Sequence, residues 1–330
     1  MMKFRITVFL VALVLLPAFV RADDVPSSIP LTRDPHRLLA FGRADDAIGL
    51  LQQRISMNSR DAQAWNLLSR AFLTEEQWDK AVGAGEKAVE FAPDAAEYHL
   101  WLGRAYGERA DHSNFIAAIR AAKRARSELE RATSLQPNNV ESQSDLAEFV
   151  LQAPGFLGGG LDKAERLQVT IAGLDPPSGH YWQARILEKK DRLDQAEREF
   201  HAAIDLEAHK AQYWMALAEF FHRHHRYDDM ESALQQAVAT GNRSDGVLME
   251  AAALLLQANR KLETALKWLR EYLNAPAPIE SEPRFQAHYM LGTILEKQGN
   301  RNSAAAEYRS ALQLASAFNP AQEALKRLGQ

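Results

Sequence analysis

Residues 65–93 read WNLLSRAFLTEEQWDKAVGAGEKAVEFAP, and their spacing decides the fold. Trp65 is followed by Leu68, Phe72, Ala81, Ala88 and Pro93, at offsets of 3, 7, 16, 23 and 28. The first three share one helical face, the two alanines share a second, and Pro93 stops what precedes it. The stretch is therefore two antiparallel helices whose small residues meet at close range. Such a pair cannot bury its own apolar face, so copies must stack on one another.

Copies follow to the end of the chain. The second uses His99, Leu102, Gly103 and Tyr106, then Ala125, Leu129, Ala132 and Pro137, with ten extra residues between its halves. The third uses Leu146, Ala147 and Val150, then Ala164, Ile171 and Pro176, with five extra residues. Four more begin near residues 178, 211, 246 and 285. Gly103, Ala147, Ala184, Ala218, Ala253 and Gly292 mark one small first-helix position. Glycine in mid-helix costs about 1 kcal/mol against alanine, so close helix contact is expected there. The boundaries are repeats at 62–95, 96–139, 140–177, 178–210, 211–245, 246–284 and 285–318. A degenerate half repeat at 28–61 precedes them, and a capping helix at 319–328, with Pro320 in its first turn, follows.

These offsets resemble the tetratricopeptide repeat, and the resemblance covers nearly all of residues 28–318. It implies an all-α, right-handed α-solenoid of antiparallel helix pairs with a C-terminal capping helix, one domain over 23–330. LAEFVLQAPGFLGGGLDKA, residues 146–164, is similar to a subset of exported bacterial members with an APG…GGG…KA loop in one repeat. That subset implies an exported scaffold and no chemistry.

Residues 1–22 lie apart from the repeats. Lys3 and Arg5 precede an apolar run from Ile6 to Leu16, broken by Pro17, and Val20-Arg21-Ala22 supplies a cleavage site. Fifteen helical residues reach about 22 Å, short of the roughly 30 Å bilayer core. The expectation is a signal peptide cleaved after Ala22, a periplasmic or secreted product, and no stable membrane insertion. Cleavage removes Lys3, Arg5 and Arg21, leaving 36 basic and 43 acidic residues, a formal charge of −7. That balance argues against nucleic-acid binding. The 330 residues contain no cysteine, which excludes disulfides, thiolate metal sites and cysteine nucleophiles.

The family lines its concave groove with first-helix residues. Here that implies Asn66, Arg70, Arg104, Glu148, Tyr181, Arg185, Met215, Glu219 and Tyr289. The carboxylate clamp of chaperone-binding members is missing, since Leu100 and Arg104 stand where its second Lys–Asn set would be. Mixed Arg, Glu and Tyr suit an extended peptide or a folded protein. The partner expected is thus a protein bound by a non-catalytic envelope scaffold. The alternative is an envelope polysaccharide or peptidoglycan accessory factor.

Both insertions fall between the two helices of their repeats, on one edge. The first lengthens a helix that continues the stripe Phe115, Ile119, Ala122, Leu129 and Ala132. The second is a loop with Phe156, Leu157, Gly158, Gly159 and Gly160, expected to pack near Phe115 and Ile119. The separation of Gly155 and Gly160 suits a phosphate loop, but Leu161-Asp162-Lys163 follows and no strand precedes. The basic run Arg120, Lys123, Arg124 and Arg126 reads as a solvated helix face. His222, His224 and His225, with Asp228 and Asp229 behind them, are a weak metal candidate in a turn. No cofactor motif, nucleophile elbow or His-Glu-x-x-His helix is present, so no enzyme activity is expected.

Overall fold

The small residues at the helix crossings do what their spacing implies. A methyl group on Gly103 would lie 2.8 Å from the Leu129 side chain, and one on Gly292 would lie 2.5 Å from the Tyr308 ring. Each glycine is the floor on which its partner helix rests. The computed structural model describes residues 34–241, 246–275 and 282–330. The leader expected at 1–22 and its cleavage site lie outside the described residues.

The described residues form helices without strands. One unit comprises Arg54–Leu73 and Trp78–Glu207; the other comprises 34–53, Thr74–Gln77 and 208–330. The first unit contains α3 (Ala62–Thr74, except its last residue), α4 (Trp78–Phe91), α5 (Ala96–Asp111) and α6 (Phe115–Leu135). It continues with α7 (Val140–Gln152), α8 (Leu161–Leu174), α9 (Pro176–Lys189) and α10 (Leu193–Leu206). From α4 onward, each helix packs on its successor.

The second unit contains α1 (Pro35–Ala40), most of α2 (Ala44–Met57), α11 (Ala211–Arg223), α12 (Tyr227–Thr240) and α13 (Val247–Gln257). It ends with α14 (Leu262–Leu273), α15 (Arg284–Lys297), α16 (Arg301–Leu314) and α17 (Asn319–Arg327). Here the two ends of the described chain meet. Asp45 accepts hydrogen bonds from the backbone N–H (2.8 Å) and hydroxyl (3.0 Å) of Ser316. The Arg284 guanidinium lies 5.1 Å from the Phe41 ring centre. The turn at Gly42, with φ +69°, passes so close that a side chain would strike the Arg284 backbone.

Three local devices recur. The chain enters the left-handed region at Glu76, Asp191, His225, Asn259 and Gly299, between paired helices. Asp191, His225 and Gly299 follow the small positions Ala184, Ala218 and Gly292 by seven, as Glu76 follows Ser69. That spacing places the small position of the sixth repeat at Ala252, which is fully buried, and corrects the expected Ala253, which is partly exposed.

Next, a first-helix side chain ties down the preceding turn. The Trp65 indole donates to the Ser59 carbonyl (2.9 Å), Gln143 to Pro137 (2.8 Å) and Gln322 to Ser316 (2.7 Å); His99 Nε2 lies 2.8 Å from the Pro93 carbonyl. Each partner lies six residues back, where carbonyls near a helix end lack intrahelical donors.

Last, where this position is histidine it meets a second-helix carboxylate. His180 lies 2.7 Å from Glu199 and His288 2.7 Å from Glu307, both nineteen residues on; His99 lies 2.6 Å from Glu128, twenty-nine on. The added ten are the insertion, so α6 grew at its N-terminal end and kept its register. Burial lowers the His99 pKa, but Glu128 and the Pro93 carbonyl outweigh it, and the net shift is upward.

Candidate functional site

In the first unit, arginines one first-helix position after the small residue join successive repeats. Arg104 Nε donates to Asp145 at 2.6 Å and its Nη2 to Glu141 at 2.7 Å. Arg70 Nη1 donates to Glu97 at 3.2 Å. Arg185 donates to Glu148 at 3.0 Å and to the Tyr181 hydroxyl at 2.7 Å. Burial alone would lower the pKa of Arg104 and Arg185; the adjoining carboxylates reverse this and raise both. Glu141 moves up, because its burial outweighs Arg104.

Between these arginines stands Trp101. The Arg70 and Arg104 guanidinium carbons lie 4.4 and 4.5 Å from its ring centre, and the ring stays partly exposed. This residue was not among those expected from the family pattern. The signal was in the chain: Trp101 lies three residues before Arg104, on the same helix turn, at a position where most repeats carry no large aromatic.

Several expected lining residues lie beneath the face. Asn66 and Tyr181 are each 2% exposed, Met215 and Arg70 5%, and Arg185 7%. Tyr181 packs edge-on against Trp182 and Phe200. Arg104, Glu148, Glu219 and Tyr289 retain partial exposure.

In the second unit Glu219 and Glu250 stand on α11 and α13, and Glu282 just before α15. Burial, and then Glu219, push Glu250 up to about 8; burial, and then Glu250, push Glu282 well above the usual carboxylate range. Glu219 has Arg223 at 3.7 Å. Tyr272 donates its hydroxyl to the Glu282 backbone carbonyl. Tyr289 stands between the Tyr308 and Phe318 rings.

The insertions do touch, at a different place from the one expected. Gly155–Leu157 form one 3-10 turn. Leu157 is buried and, with Phe156, lines a recess whose other wall is Lys123, Arg126, Ser127 and Glu130 of α6. That is about two turns beyond Ile119. Phe115 is left 66% exposed and Phe156 65%. The reason is in the loop backbone. Gly158 and Gly160, at φ +95° and +147°, fold it back so that the Gly160 N–H donates to the Val150 carbonyl at 2.8 Å. A side chain on Gly158 would collide with Arg126.

His222 closes the last turn of α11, and His224 and His225 form the turn that follows it. His222 and His225 flank Tyr227, with His225 Nδ1 2.9 Å from its hydroxyl, while His224 packs on Phe220. Among the described residues no group of three His, Cys, Asp or Glu side chains is placed to hold a metal, which corrects the weak metal candidate.

Family models of the tetratricopeptide repeat match residues 36–96 and 181–246, and another matches 285–318. Among solved structures, yeast Tom70 is similar in fold with a TM-score of 0.53 and 15% identity, over 92% of this chain and 65% of that one. TTC0263, a thermophilic TPR protein of Thermus thermophilus, aligns with a TM-score of 0.47 and 21% identity, over 58% of this chain and 98% of that one. YrrB, described as a TPR protein with an unusual peptide-binding site, gives 0.36 and 16%, over 63% of this chain and 97% of that one. No protein with a curated description matches the sequence.

Proposed function

We propose that this chain, an all-α solenoid built of tetratricopeptide repeats, is a non-catalytic scaffold of the bacterial cell envelope that holds a protein partner on its first-helix face. Proteins of this architecture generally serve as interaction scaffolds, and the leader read at residues 1–22 supports export. The observation that carries the reading is Trp101 between Arg70 and Arg104. Trp and Arg are the residue types that dominate binding energy at protein interfaces. Here the arginines that hold the ring are themselves held by ion pairs, so little order is lost on binding.

The same geometry disfavours the sugar-binding alternative. Stacking a sugar ring needs an open aromatic face, yet two guanidinium groups already lie against Trp101 and Tyr181 is buried. A photo-crosslinking amino acid in place of Trp101 tests the proposal in intact cells. Discrete protein adducts, lost when Arg104→Glu is added, are expected. Adducts with glycan, or none while a control at exposed Val169 captures protein, would overturn it. Mass measurement of the mature chain, expected to begin at Asp23, tests the export.

A further inference from the structure

The N-terminal half of α6 is built to face something other than its own chain. Its buried residues begin at Ala121, and none of residues 115–120 is buried. Phe115 and Ile116 sit side by side at its tip, 66% and 69% exposed. Opposite the buried stripe of Ala121, Ala125, Leu129 and Ala132, the spacing i, i+4, i+7 sets Ile116, Arg120 and Lys123 in one outward row.

Electrostatics separates this row from the rest of the surface. Residues 115–127 hold four basic side chains and no acid, in a chain whose acids outnumber its bases. The next acids along α6 are engaged: Glu128 with His99, and Glu130 with Arg126 at 2.8 Å. Arg120 and Lys123 are exposed, and no described carboxylate pairs with either.

The loop of the next repeat adds a third apolar group beside Lys123. Phe156 stands at its tip, 65% exposed, on a backbone held by Gly159 N–H to the Pro154 carbonyl (3.2 Å) and Gly160 N–H to Val150. Lys163 Nζ donates to the Gly158 carbonyl at 2.6 Å. The backbone bonds fix the loop, and most of the Phe156 ring is left to solvent.

We infer that this edge docks on an anionic phospholipid surface, with Phe115, Ile116 and Phe156 entering the interface and Arg120 and Lys123 meeting the headgroups. A bilayer suits protruding apolar groups ringed by cations, because it needs no groove to receive them. An acidic peptide would be held by the recess beside Lys123, which also carries Glu130, whereas Phe115, Ile116 and Phe156 project from the edge. The partner proposed for the first-helix face plays no part in this inference, so the two stand or fall separately.

The chain from Asp23 onward, its helical content first verified, should float with vesicles of phosphatidylcholine and phosphatidylglycerol in equal parts. It should stay behind with phosphatidylcholine alone, and binding should fall as salt rises. Arg120→Gln with Lys123→Gln should weaken binding about fivefold per lost cation. Phe115→Ser with Ile116→Ser should weaken it too, with the salt dependence kept. All four residues are exposed, so the melting temperature should not move. Equal flotation with neutral vesicles, no flotation with anionic ones, or substitutions without effect would overturn the inference. So would tight binding of polyglutamate by a chain that ignores vesicles, which would mark an acidic protein as the partner.

Discussion

The two units use the same helix pair and load its first-helix side differently, with arginine–carboxylate pairs in one and clustered carboxylates in the other. In the first, Arg70, Arg104 and Arg185 each find a carboxylate on a neighbouring helix, and Trp101 fills the space between two of them. In the second, Glu219, Glu250 and Glu282 approach one another, and two of them rise toward neutrality. The repeat scaffold is indifferent to the sign of what it displays. What it demands lies underneath, at the small positions and their partners.

Removing a charge should therefore act in opposite directions in the two units. The largest effect is expected for Arg104→Met, which strands Glu141 and Asp145; breaking such a pair costs about 3–5 kcal/mol. Urea unfolding should show that loss, and a change below about 1 kcal/mol would mean that the arginine ladder contributes nothing to stability.

Gly292→Ala is next. It forces the Tyr308 ring to give way, and overpacking of this kind costs about 1–3 kcal/mol. An unchanged melting temperature would show that α15 and α16 are free to move apart.

Glu250→Gln should stabilise the protein, and only where the carboxylate would ionise. A carboxyl raised to about 8 in the folded state ionises near 4.3 when unfolded, so its stability contribution falls as pH rises between those values. The variant should match the parent at pH 4 and exceed it at pH 8, by thermal melting at each pH. Equal gaps at both would remove the electrostatic account.

The smallest effect belongs to a turn. His225 occupies the left-handed region at φ +58°, and replacing it with glycine should stabilise the second unit by up to about 1 kcal/mol. Destabilisation would mean that its contact with the Tyr227 hydroxyl outweighs the strain.

Much of this arrangement was legible in the chain. The offsets from Trp65 to Pro93 reflect a local constraint repeated along the sequence, so they identify the helix pairs. Gly103 and Gly292 announced close crossings that the structure places at Leu129 and Tyr308. The His–Glu offset of nineteen, stretched to twenty-nine across the insertion, was also there to read. Other features were not. Position in a repeat does not say how deep a long side chain lies, so Tyr181 and Met215 were expected on the face and are found beneath it. Ala253 and Ala252 are equally small, and only the left-handed turn at Asn259 selects the second.

The sequence by itself determined the unit of construction, because amphipathic period, small residues and helix stops act within about forty residues of chain. It also determined where the insertions fall. The tertiary structure alone decided what those insertions present and how the ends of the chain are used. Leu157 rather than Phe156 is buried because Gly158 and Gly160 turn the loop back on itself, leaving room for one apolar side chain against α6. Asp45 reaches Ser316 across 271 residues of chain. No spacing rule encodes such a contact, since its partners become neighbours only in the folded second unit.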